Sequence, residues 1–138
     1  MFLRIKHLID FANKRFINVV LLFGSSLIYI CNRLFFQKLA RGSLLLFCKC
    51  YLNDLLFPLW YLSIANILLI TADFELKSFT PVFAVGLLTG LFWEYVAPLL
   101  NPKSVSDPVD LMCYLAGTVL YYSIYKMYSR AENEADER

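Results

Sequence analysis

A single histidine, His7, occurs in 138 residues, and only four cysteines: Cys31, Cys48, Cys50 and Cys113. Cys48-x-Cys50 could be half of a metal site, but no second Cys-x-Cys or Cys-x-x-Cys completes tetrahedral zinc. A disulfide scaffold is not expected either, because three of the thiols fall in or beside apolar runs, where cysteine is a small hydrophobe. Charge is scarce as well. Asp, Glu, Lys and Arg make up 17% of the chain and the net charge is +2, too weak for a nucleic-acid surface. An ordinary soluble domain is also excluded, because the chain is 59% hydrophobic and 17% aromatic with a mean hydropathy of +0.59. So short a chain cannot hide that much apolar surface in one core, and lipid is the expected solvent for most of it.

The apolar residues are grouped into four runs. The expected fold is all-α: a polytopic membrane bundle of four transmembrane helices, with spans over 17–35, 51–72, 80–100 and 109–128. The N-terminal MFLRIKHLIDFANKRF lacks a signal-peptide cleavage site. Its Phe2, Ile5, Leu8, Ile9, Ala12 and Phe16 at helical spacing predict an interfacial helix before the first crossing. Residues 129–138 form a charged, weakly patterned tail, expected to be mobile. The six-residue connection DFELKS forces the third span back antiparallel to the second. Gly24, Ser25 and Ser26 in span one, and Gly86-x-x-x-Gly90 in span three, suit close helix contact. Asn66 at mid-span predicts an interhelical hydrogen bond. The tyrosines and tryptophans partly mark the membrane interfaces.

Acids inside or beside apolar runs are the candidate site. Stepping by four from Gly86 reaches Gly90 and then Glu94, so Glu94 shares the small-residue stripe that faces protein. It lies about six residues from the helix end, hence roughly 9 Å deep. A carboxylate at such a depth costs about 2–3 kcal/mol unless it is protonated or partnered. Asp107-Pro108-Val109-Asp110 has the form of a helix start, with Asp107 as cap and Asp110 favoured by the helix dipole. Asp110 leads by helical steps to Tyr114 and Gly117, on an inward face. Asn53 and Asp54 stand at the expected entrance of span two, with Pro58 in its first turn. They are either caps of that helix or members of the acidic site.

Four antiparallel spans place Asn53, Asp54, Glu94, Asp107 and Asp110 on one side of the bilayer. Eight basic residues fall on the side of the termini and five on the acidic side, which leans toward cytoplasmic termini.

An apolar helix bearing Glu94, a polar loop, and then Asp110-x-x-x-Tyr114-x-x-Gly117 resembles the VanZ-like membrane proteins. These carry a helix-embedded Glu, an Arg, and an Asp before an Asn-x-x-Gly helix. The resemblance covers about Gly86 to Tyr122. Ala97 stands where the family has Gln, Tyr114 where it has Asn, and Lys103 is the nearest substitute for the arginine. It implies a small multi-pass protein of the bacterial cytoplasmic (inner) membrane, in a family whose founding members are associated with glycopeptide resistance.

Three functions fit the acids. In the first, the site binds or acts on a lipid-linked headgroup or cell-envelope component. Glu94 would be the acid or base and Asp110, with Asp54, would orient the ligand. Asn53, Asp107, Tyr114 and Lys103 would complete the binding set, with Lys103 meeting a phosphate. No cofactor is expected, although oxygen ligands could hold a divalent cation. No activated nucleophile is visible, and whether the protein is an enzyme stays open. The second function is a proton or cation channel or carrier, which at this size would need a homo-oligomer. The third is a noncatalytic accessory subunit, in which the acids are caps and hydrogen-bond partners. Membrane lipid is the expected partner, and nucleic acid is not.

Overall fold

The computed structural model describes residues 2–100 and 107–136, all of which are helical apart from two short connections, Ala40–Arg41 and 72–78, and the capping residue Asp107. Four long helices result: α1 (residues 2–39), α2 (Gly42–Thr71), α3 (Phe79–Leu100) and α4 (Pro108–Asp136). Helices α1 from Ala12, α2 and α3 are long and apolar enough to cross a membrane. Their outer faces are those of a membrane protein: Phe23, Leu27, Leu68, Leu88 and Leu99 are all more than 60% exposed. Apolar surface on this scale is not left facing water by soluble monomers.

The chain runs up and down. Asn32 of α1 meets Asn53 of α2, and Glu94 of α3 meets Asp107 at the start of α4, so these four helix ends share one end of the bundle. At the other end, Lys14 of α1 and Tyr125 of α4 both reach Glu75 in the α2–α3 connection. Helices α2 and α4 form the central pair. Helix α1 packs mainly on α2, and α3 mainly on α4.

Small residues set the α3–α4 and α2–α4 distances. A Cβ on Gly86 would run into the Thr118 side chain, and one on Gly90 would come within 2.9 Å of Leu111. The Gly86–Gly90 surface is therefore packed within the chain. Gly117 lies directly against the Leu55 carbonyl oxygen of α2 and would hold a Cβ 3.0 Å from Pro58 Cγ. A Cβ on Gly24, by contrast, would meet nothing within 4 Å, so of the small residues in span one it is Ser25, which is buried, and not Gly24 that faces the bundle.

The middle of the bundle holds a hydrogen-bonded polar core. Tyr121 donates to Asn18 Oδ1 at 2.7 Å and accepts from Asn66 Nδ2 at 3.0 Å. Asn66 Oδ1 accepts from the Leu76 backbone N–H at 2.9 Å, and Asn18 Nδ2 donates to the Lys14 carbonyl at 2.8 Å. Tyr121, Asn18 and Asn66 are all fully buried. The interhelical role expected of Asn66 is present. Tyr121 and Tyr125, however, are core residues and not interface markers, since both are buried and each spends its hydroxyl on a partner in another element.

Three boundaries differ from expectation. Helix α1 runs unbroken from Phe2 through Cys31, so no bend separates an interfacial helix from the first crossing. Helix α2 begins at Gly42, about nine residues early. Gly42 takes a left-handed conformation (φ 59°) that lets the chain reverse within Ala40–Arg41. Lys49 does not stop the helix because a lysine near a membrane-helix end can extend its stem toward water. Asn53, Asp54 and Pro58 therefore lie well inside α2: neither polar residue is a cap, and the proline is not in the first turn. Finally, α4 continues through the charged segment to Asp136, where Ala and Glu favour helix and Arg130 stands four residues before Glu134.

Candidate functional site

Three helices widen by a π-helical turn at the same end of the bundle: Asn32–Phe36 in α1, Phe47–Tyr51 in α2 and Phe92–Val96 in α3. Such a turn holds one extra residue, shifts the hydrogen-bond ladder, and redirects side chains and carbonyls. In α2 it leaves the Cys48 carbonyl to side-chain donors: Asn32 Nδ2 at 2.7 Å and Gln37 Nε2 at 3.2 Å. Asn32 Nδ2 also donates to Asn53 Oδ1 at 3.1 Å. Asn32 is fully buried, and these contacts tie the end of α1 to α2.

In α3 the π turn carries Glu94, which is buried (5% exposed) as its place on the Gly86–Gly90 stripe requires. Glu94 Oε2 accepts from the Asp107 backbone N–H at 2.8 Å. Asp107 Oδ1 accepts from the Val109 N–H at 2.9 Å, and the Asp107 carbonyl from the Asp110 N–H at 2.9 Å. Asp107 is thus the cap its sequence context predicts, and Glu94 supports that cap from the neighbouring helix. Asp110 is partly buried and within electrostatic reach of Glu94 and Asp107.

Asp54 joins them from α2. Its carboxylate is within electrostatic reach of Asp110 and Glu94, and the Tyr114 hydroxyl is turned toward it. Pro58, four residues on, has no N–H for the Asp54 carbonyl, so the α2 backbone is irregular beside the acid. Beneath the acids, the Phe57 ring meets Tyr114 at 5.9 Å and Trp93 at 6.3 Å between centroids, both edge-on. Phe57 fills the space between α2 and α3 where the two helices have little direct contact, forming an aromatic floor.

Of the residues singled out in sequence, Glu94, Asp110, Asp54, Asp107 and Tyr114 come together. Asn53 is at the same end but is engaged with Asn32 of α1. Lys103 lies outside the described residues. Asn32, Gln37 and Phe57 are parts of this end that sequence reasoning missed. Asn32 had one available signal: it is an amide directly after an apolar run that did not need it as a cap. Among the described residues, no three Cys, His, Asp or Glu side chains are grouped so as to hold a metal ion. Cys48 is buried and Cys50 exposed, so that pair does not converge.

Fold and site together define a protein whose described residues are helical without strands, with three helices long and apolar enough to cross a membrane and carboxylates gathered at one bundle end. No family model, curated protein or solved structure matches the chain.

Proposed function

We propose that the chain is a four-span protein of VanZ-like type whose acidic end binds, and in the fuller version acts on, a lipid-linked headgroup. The observation that supports this most is the coincidence of three π-helical turns with Glu94, Asp54, Asp110 and Tyr114 at a single bundle end. Irregular turns of this kind recur at functional sites, and ionisable side chains within membrane bundles mark them too. The fourth span is α4. Its inward face carries Tyr114, Thr118, Tyr121 and Tyr125, all buried, which makes it less apolar than its neighbours, and the exposed Ser123 donates to the Val119 carbonyl of its own helix. The membrane is then the bacterial cytoplasmic membrane, with both termini on its cytoplasmic side and the acids on the other.

Asp110 and Asp54 orient the headgroup by accepting hydrogen bonds from its hydroxyl or ammonium groups. Glu94 would be the acid or base, while also holding the cap of α4. Tyr114 fixes Asp54, and Lys103 would meet a phosphate. Native mass spectrometry of protein released from mild detergent should show a retained lipid of one headgroup class. Asp110→Asn should lose it while keeping the wild-type helicity and elution volume. A wild-type protein carrying no lipid, or only a mixture reflecting the membrane's own composition, would exclude the reading.

A further inference from the structure

The acidic end is rich in acceptors and short of donors. Among the described residues, neither Asp54 nor Asp110 has a cation paired with it. Asn32 adds a further acceptor at this end. It is fully buried, and its Nδ2 is committed to the Cys48 carbonyl and to Asn53 Oδ1, the side chain that precedes Asp54 in α2. Those two donations fix which edge of the amide is which. The Asn32 Oδ1 on the other edge is buried and has no hydrogen-bond partner in the protein. A buried acceptor in this condition calls for a donor from outside the chain. The side-chain donors around it are already spent: Asn32 Nδ2 and Gln37 Nε2 on Cys48, and the Tyr114 hydroxyl on Asp54.

Charge of the other sign stands at the same end and is equally unpaired. Arg33, Lys38, Arg41 and Lys49 occupy the α1–α2 hairpin, all exposed, and none forms an ion pair with a described residue. Exposed Leu39 and Leu44 lie among them, which sets the hairpin where lipid chains meet headgroups. Lys49 precedes Asp54 by five residues in α2, about 7.5 Å along the axis. Basic residues at span ends are ordinary membrane flanks and would attract any phosphate. Flanks alone do not account for carboxylates and an orphan amide oxygen beside them. A net-anionic headgroup drawn to the hairpin would be repelled by Asp54 and Asp110, whereas a headgroup carrying both charges satisfies both sets.

We propose that the headgroup held at the acidic end is a zwitterion with a primary amine, as in phosphatidylethanolamine, its N–H groups meeting the acceptors of Asp54, Asp110 and Asn32 and its phosphate lying against the α1–α2 hairpin. An alkylammonium offers three donors and no acceptor, which matches an end whose open groups are acceptors. Its hydrogen bonds to carboxylates are charge-assisted and belong to the strong class. A quaternary ammonium keeps the charge and loses every N–H, so it fits worse. The inference rests on the headgroup reading and narrows it to one class of lipid.

The test titrates the delipidated full chain, in mild detergent, with five lipids of identical acyl chains, read by native mass spectrometry. They are phosphatidylethanolamine, its N-methyl and N,N-dimethyl derivatives, phosphatidylcholine and phosphatidylglycerol. The methyl series removes N–H donors one at a time while keeping the phosphate and the positive charge. Affinity should fall along it, by about tenfold or more from first to last, as the loss of hydrogen bonds to charged groups implies. Phosphatidylglycerol should bind no better than phosphatidylcholine. Asp54→Asn/Asp110→Asn should flatten the series, whereas Arg33→Gln/Lys49→Gln should weaken all five lipids alike. A flat series in the wild-type protein, which needs no variant to fold, would overturn the proposal, as would a preference for phosphatidylglycerol. Either result leaves headgroup binding standing. Binding of none of the five would also overturn the proposal, and the headgroup reading falls with it only if the protein co-purifies with no lipid of one class.

Discussion

Gly117→Ala is expected to destabilise the bundle more than any other single-methyl change. The added Cβ would meet the Leu55 carbonyl oxygen, a backbone atom, and stand 3.0 Å from the Pro58 ring. Neither can rotate away. Proline fixes its own backbone angle, and Leu55 lies within a continuous helix. Helices α2 and α4 would have to separate, and they are the central pair to which both outer helices attach. Overpacking of a tight contact costs about 1–3 kcal/mol and occasionally more, and a backbone clash belongs at the upper end. Thermal unfolding in detergent, followed by loss of helicity, should show a markedly lower midpoint. Gly24→Ala is the internal control, because a Cβ there meets nothing within 4 Å and it replaces a poor helix former with a good one. Equal behaviour of the two variants would contradict the packing described here.

The second large effect concerns Glu94, whose two roles separate chemically. Glu94→Ala removes the acceptor from the Asp107 N–H, which should cost about 1–3 kcal/mol, loosen the start of α4 and displace Asp110. Glu94→Gln keeps a carbonyl oxygen to accept that bond while removing the carboxylate. Thermal stability should therefore fall in the alanine variant and largely recover in the glutamine variant, whereas lipid retention should be lost in both. If glutamine restores retention as well as stability, Glu94 is a support for the α4 cap and the negative charge at the site belongs to Asp54 and Asp110 alone.

Much of this end was legible from spacing. Gly86, Gly90 and Glu94 recur every four residues, which on a helix means one face, and all three are buried together. Asp107-Pro108 carried the chemistry of a helix start, and Asp107 bonds the Val109 N–H as a cap should. The α2 boundary was not legible in the same way. Lys49 falls between the expected first and second spans, yet a long basic side chain can leave a membrane helix by its stem without ending it. That displacement removes the cap alternative for Asp54, leaving it inside the bundle, and turns Pro58 from a first-turn residue into an internal break. The π turns were hidden because one extra residue shifts the apolar pattern by less than the scatter of a uniformly greasy run. Tyr121 and Tyr125 looked like interface anchors because tyrosine suits both a membrane surface and a buried hydrogen bond, and only tertiary contacts distinguish the two.

Photo-crosslinking with a phospholipid carrying a diazirine on its headgroup tests the central claim most directly. Labelled peptides should concentrate on α2 around Asn53 and Asp54, on α3 from Glu94 to Ala97, and on α4 around Asp107 to Met112. Asp54→Asn/Asp110→Asn should abolish that concentration without changing labelling elsewhere. Labelling spread evenly over both ends of the bundle, and unchanged in the double variant, would contradict a headgroup site at the acidic end.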